Sequence, residues 1–189
     1  MATDAISVIM NDHRRMERLF SELQSGEGDR IALLNEVAAR LTAHSHAEEQ
    51  RVYPAIAAAD PAQADEVHHG TEEHHEAEKL LHQLQRMEPA GAEFEAKLNE
   101  FIDAVGHHIE EEESEILPAL RKAVDQQTLE ELGKSFENIR TQELKTAGVA
   151  DDSEARDDLY ARAKGADIAG RGGMKKEQLA EALRAHDLS

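Results

Sequence analysis

Apolar residues recur at steps of three and four through four long segments of the chain, the spacing that lines one face of an α-helix. The first segment runs from about Thr3 to Gln24 and ends at Ser25-Gly26, with Thr3 or Asp4 placed to cap it. The second runs from about Asp29 to Ala58 and stops before Asp60-Pro61. The third begins near Pro61, a favourable first-turn residue, and ends before Pro89-Ala90-Gly91. The fourth spans about Ala92 to Val124. Short breaks between long helices predict antiparallel neighbours, so the expected fold class is all-α, an up-and-down antiparallel four-helix bundle. A fifth helical segment, about Thr128 to Thr146, is expected to pack outside it.

Beyond that segment the pattern changes. Lys145 to Glu154 has Val149 as its one large apolar residue and reads as a linker. Glu154 to Lys164 and Lys175 to Ala185 then read as two short helices around Gly170-Arg171-Gly172-Gly173, with Leu159, Ala163, Ile168, Met174, Leu179 and Leu183 as a small core. The expected division is a bundle over 1–125, an extra helix and linker over 126–152, and a small helical extension over 153–189.

The inward stripe of each long helix is interrupted by ionisable residues. The stripes read Ile6, Ile9, His13, Met16, Phe20, Leu23; then Leu34, Val37, Leu41, His44, Glu48; then Val67, Gly70, His74, Ala77, Leu81, Leu84; then Phe94, Leu98, Phe101, Val105, His108, Glu112. Each helix places a histidine where an apolar residue belongs, and two add a glutamate one turn later on the same face. Six such groups in an apolar core would be costly, and buried carboxylates without counter-charge would be driven towards protonation. A metal removes the difficulty. Four imidazoles and two carboxylates exceed one tetrahedral zinc; they suit a pair of metals bridged by Glu48 and Glu112, with His13, His44, His74 and His108 as terminal ligands. Positions remain for a bridging oxide or hydroxide and for O2, peroxide or NO.

Composition narrows the chemistry. There is no cysteine, so disulfides, thiolate zinc and cysteine-ligated iron–sulfur clusters are excluded. Imidazole and carboxylate donors favour iron or manganese over Cu(I). Aromatic residues make up only 3% of the chain, so the core must be aliphatic, which suits helices better than a sheet. The formal net charge of −19 repels nucleic-acid phosphates and attracts cations; the segment from Ser153 onward is roughly neutral, which assigns the acidic excess to the bundle. The first residues, MATDAISVIMNDHRRMERLF, do not read as a signal peptide and no apolar run approaches a membrane span, so a soluble cytoplasmic protein is expected.

The second and fourth helices also repeat each other. HSHAEEQRVYPAI, from His44 to Ile56, aligns without gaps on HIEEEESEILPAL, from His108 to Leu120, with His, Glu-Glu and Pro-Ala in register. Pro54 and Pro118 are expected to disrupt their helices one or two turns beyond the site. These frames, with His13 and His74, resemble the hemerythrin-like HHE cation-binding family over about residues 1–125. The resemblance implies a non-haem site of two iron ions that binds O2, senses iron or oxygen, or handles peroxide or NO. Respiratory members carry two histidines four apart on the third helix. Here Gly70 and Glu78 flank His74 at that spacing, so one metal is expected to lack a terminal imidazole. His69, Glu78, Tyr53 or water are the candidates for its place, and a reactive or sensing site is favoured over simple O2 carriage. Catalase- or peroxidase-like turnover is the enzymatic alternative, and regulation through the C-terminal segment is another.

The remaining histidines His46, His75, His82 and His107 fall off the stripes and are expected on the surface, while His68 and His69 read as either surface groups or outer partners of the site. Glu49 and Glu113 are adjacent to the ligands but rotated from them, and Glu110, Glu111 and Glu113 read as a solvated charged face with a minor part in metal uptake. The tail from Leu159 to Asp187 is similar to the small helical segment at the N-terminus of transcription terminator Rho. That likeness implies contact with nucleic-acid phosphates through Lys164, Arg171, Lys175 and Lys176; a protein-docking or merely structural appendage is the alternative.

Overall fold

The structure is a computed structural model that describes residues 4–89, 91–151, 163–166, 168, 170–174, 178, 179 and 182. The chain divides into two compact units, residues 1–149 and 150–189.

In the first unit, α1 (Ala5–Ser25) starts at Asp4, whose carboxylate accepts the Ser7 N–H at 2.9 Å, and ends at Gly26 in the left-handed conformation with φ 70°. Helix α2 (Arg30–Ala47) is capped by Asp29, which accepts the N–H groups of Ile31 and Ala32. The predicted second helix then continues as a five-residue π turn, Glu48–Val52, and a short α3 (Tyr53–Ala59). A 3-10 turn at Pro61–Gln63 leads into α4 (Ala64–Leu84). The predicted fourth helix divides in the same way, into α5 (Ala92–Glu111), a π turn at Glu112–Ile116 and α6 (Leu117–Ala123). Helix α7 (Gln126–Thr146), capped by Asp125, packs on α1 and α2. The architecture is all-α, and no strand occurs among the described residues.

The π turns have a local cause. Pro54 and Pro118 lack an N–H, and a proline ring crowds the carbonyl four residues before it. The backbone relieves this by widening. Tyr53 N–H donates to the carbonyl of Glu48, and Leu117 N–H to that of Glu112. The disturbance therefore begins at the two seam glutamates themselves rather than a turn or more beyond them. Wide turns of this kind concentrate at functional positions.

The stripes read from the sequence are buried, apart from the partly buried Val67. They form two apolar clusters. One contains Met16, Phe20, Leu41, Leu81, Leu98 and Phe101; the other contains Ile6, Ile9, Ile56, Tyr53, Leu120 and Phe136. The interrupting histidines and glutamates belong to neither.

In the second unit, Ala163 and Leu179 are buried, with Ala166, Ile168 and Met174 packed against them. Gly170 has φ 76° and opens a 3-10 turn at Arg171–Gly173. Leu159, Leu183, Lys175 and Lys176 lie outside the described residues, as does Thr3. No helix among the described residues is long and apolar enough to cross a membrane.

Candidate metal centre

His13 comes from α1, His44 from α2, Glu48 from the turn after it, His74 from α4, His108 from α5 and Glu112 from the second π turn. All six are buried, with His13, Glu48 and Glu112 fully so. Their donor atoms converge as two groups: His13, His44, Glu48 and Glu112 in one, and Glu48, His74 and His108 in the other, each within 4.8 Å. Glu48 is common to both, with Oε1 3.3 Å from His44 Nε2 and Oε2 3.3 Å from His74 Nε2. Glu112 Oε2 lies 3.1 Å from His13 Nε2.

Every imidazole turns Nε2 inward and Nδ1 outward, and a carboxylate meets each Nδ1. His13 donates to Glu113 at 2.8 Å, His74 to Glu49 at 3.0 Å and His108 to Glu73 at 2.8 Å. His44 Nδ1 faces Asp12 at 3.6 Å. These partners run round the bundle in one direction. Asp12 on α1 serves α2, Glu49 after α2 serves α4, Glu73 on α4 serves α5, and Glu113 after α5 serves α1. Such outer carboxylates fix the tautomer and ring orientation of metal-binding histidines. Sequence reasoning left Glu49 and Glu113 as flanking acids and missed Asp12 and Glu73. The available signal was adjacency: each of the four sits next to a seam residue of its own helix, rotated towards the neighbouring one.

The charges inside are strongly coupled. Burial disfavours a protonated His44, but Glu48 and then Asp12 outweigh it and push the imidazole up to about 10. Burial also opposes a charged His74; Glu48 and Glu49 push it up to about 9. Burial would raise Glu48, yet His44 and His74 hold it well below the usual carboxylate range.

The donors fit a metal pair. His13 Nε2, His44 Nε2 and both oxygens of Glu48 and of Glu112 are buried without a well-oriented hydrogen bond, and the neighbours at 3.1–3.3 Å are other members of the same cluster. Buried polar atoms left in that condition are rare and expensive. His74 Nε2 and His108 Nε2 lie 3.0 Å apart. Both rings commit their Nδ1 protons outward, so two neutral rings would set lone pairs against each other. A proton or a cation must lie between them. Two imidazole nitrogens held at right angles on one metal at ~2.1 Å would be separated by about 3 Å.

Tyr53 lies where Gly70 leaves room. Its ring stacks on His74, with centroids 5.6 Å apart and planes at 7°. A Cβ on Gly70 would lie 2.8 Å from the phenol oxygen. The phenol thus occupies the space a side chain at position 70 would need. Its oxygen is buried without a hydrogen bond, and burial, followed by the charges of Glu48 and Glu112, holds its pKa well above the ordinary value. His69 is exposed and faces Glu73 and Glu111, and Glu78 belongs to none of the donor groups. Helix α7 reaches the site as well: Phe136 meets His44 edge-on at 5.5 Å, and Arg140 donates to Asp12 at 2.6 Å.

Known proteins resemble this chain in sequence and in fold. A DNA nickase of Nostoc sp. (strain PCC 7120) is 28% identical over 137 residues, 71% of this chain and 38% of that protein. An uncharacterized hemerythrin-like protein of Schizosaccharomyces pombe is 26% identical over 138 residues, 70% of this chain and 66% of that one. The chain therefore spans less than two thirds of the length of either curated relative. Among solved structures, a hemerythrin HHE cation-binding domain-containing protein from Mycobacterium kansasii superposes with a TM-score of 0.66 at 22% identity, covering 95% of this chain and 98% of that one, which is a likeness of fold. Residues 4–120 match the family described as hemerythrin HHE cation binding domain, a span that takes in all six converging donors; the chain belongs to that family.

Proposed function

We propose that the bundle holds two iron ions and binds, senses or reacts with O2, peroxide or NO, with manganese as the alternative metal. His13, His44 and Glu112 would hold one ion and His74 and His108 the other, with Glu48 shared between them. The observation that carries this reading is the ring of Asp12, Glu49, Glu73 and Glu113. It leaves the Nε2 atoms of His13, His44 and His74 within 3.3 Å of two buried carboxylates, and that of His108 3.0 Å from His74 Nε2. When bound, the metals would supply redox chemistry and exchangeable positions.

The chain's own residues set the rest. The half formed by Glu48, His74 and His108 has one donor fewer than the other, and Tyr53 lies beside it. In the metal-free site burial, and then the charges of Glu48 and Glu112, favours the protonated phenol. Its hydroxyl is therefore a donor ready for a small oxygen-containing ligand. The two apolar clusters exclude bulk water, which strengthens that hydrogen bond.

Iron loading followed by metal analysis tests the proposal. About two iron ions per chain, magnetically coupled and with a near-ultraviolet charge-transfer spectrum, are expected. Less than one iron per chain, or an isolated paramagnetic ion, would overturn it. Peroxide decomposition is a second reading, favoured by the donor-poor half beside Tyr53. Steady O2 release that falls in Tyr53→Phe would support it, and a single stoichiometric oxidation without turnover would count against it.

A further inference from the structure

A third group of donors lies outside the core. His69 Nε2 is 3.7 Å from Glu73 Oε1 and 3.7 Å from Glu111 Oε2, and the three donor atoms all fall within 4.8 Å of one another. Two helices contribute, α4 and α5. The spacing repeats the core pattern: His69 and Glu73 are four apart, as are His107 and Glu111, which immediately precede His108 and Glu112. His107 Nε2 in turn approaches Glu111 Oε1 at 3.2 Å. Each helix therefore carries a solvent-facing His-x-x-x-Glu pair beside its buried donors.

Glu73 connects the two layers. One of its oxygens accepts from His108 Nδ1 at 2.8 Å while the other faces His69. It is the least exposed of the three, at 16%, whereas His69 is 54% exposed. A single carboxylate thus separates an accessible imidazole from an imidazole of the core.

We propose that His69, Glu73 and Glu111 form an outer divalent-cation site that receives the ion before it passes to the core. One imidazole and two carboxylates, with water completing the shell, suit Mn2+ or Fe2+. Two fixed negative charges around one accessible donor set also concentrate cations from solution, in keeping with the charge of −19. Binding at the outer site stands on its own geometry; the hand-over rests on the two-metal reading of the core.

The test uses the full chain and Mn2+, followed by loss of the free-ion electron paramagnetic resonance signal. Three proteins are compared: wild type, His69→Ala/Glu111→Gln, and His44→Ala/Glu48→Gln. Glu73 is left intact because it also orients His108. The outer double variant changes exposed or half-exposed side chains, and circular dichroism checks that it folds as wild type. It should lose one weak equivalent of Mn2+ and keep tight binding. The core variant should keep the weak equivalent and lose the tight ones. Identical titrations for wild type and the outer variant would overturn the outer site, reducing it to surface ion pairs. Identical titrations for wild type and the core variant would instead overturn the core reading. Stopped-flow Fe2+ uptake should be slower in the outer variant with unchanged final iron content; an unchanged rate would overturn the hand-over.

Discussion

Glu49 accepts the Nδ1 proton of His74 and belongs to neither inner donor group. Replacing it with alanine should weaken metal binding by about 10–100-fold while leaving the helix content unchanged. Competition against a chelator of known affinity measures this. Gly70→Ala places a methyl group 2.8 Å from the Tyr53 oxygen. The phenol is locked by stacking on His74, so the expected destabilisation is about 1–3 kcal/mol. Tyr53→Phe removes the offending atom and should reduce that cost, which a double-mutant cycle in urea would read. The seam histidines were legible because an imidazole in an apolar stripe breaks a pattern. Asp12 and Glu73 were not, because a carboxylate beside a seam residue looks like any solvated helix face until the neighbouring helix is in place.

Protons belong to the same scale. Before loading, His44, pushed up to about 10, and His74, pushed up to about 9, both carry a proton at neutral pH. Metal must displace those protons, so loading near pH 7 should acidify a weakly buffered solution and apparent affinity should rise with pH. A pH-indicator dye reports both. Histidines whose folded pKa is raised contribute stability that is complete below the unfolded value of 6.5 and is lost as pH rises through the folded one. The metal-free chain should therefore lose thermal stability between about pH 6.5 and 10, and the loaded chain, whose imidazoles are held by metal, should lose less.

At the scale of elements, α7 matters beyond its packing. Phe136 is buried against His44, and Arg140 donates to Asp12, the carboxylate facing the same ring. Phe136→Ala should cost about 3–5 kcal/mol in thermal or chemical unfolding and also weaken metal binding at His44. A loss of stability with unchanged metal affinity would limit α7 to a packing role. Periodicity in the sequence revealed this helix, but not its contact with the site. An aromatic and an arginine on an amphipathic face carry no mark of what they will meet. The two prolines were a better signal: they predicted interrupted helices, although the hydrogen-bond pattern moves the interruption back to Glu48 and Glu112.

For the whole molecule, a layer of histidine and carboxylate lies between two apolar clusters, in a bundle that carries most of the acidic charge. The four-helix organisation was readable because short breaks separate long periodic segments. The pairing of outer carboxylates was not readable, since it depends on which helices adjoin. Both the stability and the chemistry of the molecule converge on whether two cations share Glu48. Anomalous diffraction at the iron edge from iron-loaded crystals tests this most directly. Two peaks are predicted, one at the Nε2 atoms of His13 and His44 and one at those of His74 and His108, each adjoining an oxygen of Glu48. A single peak, or peaks away from these six residues, would contradict the account.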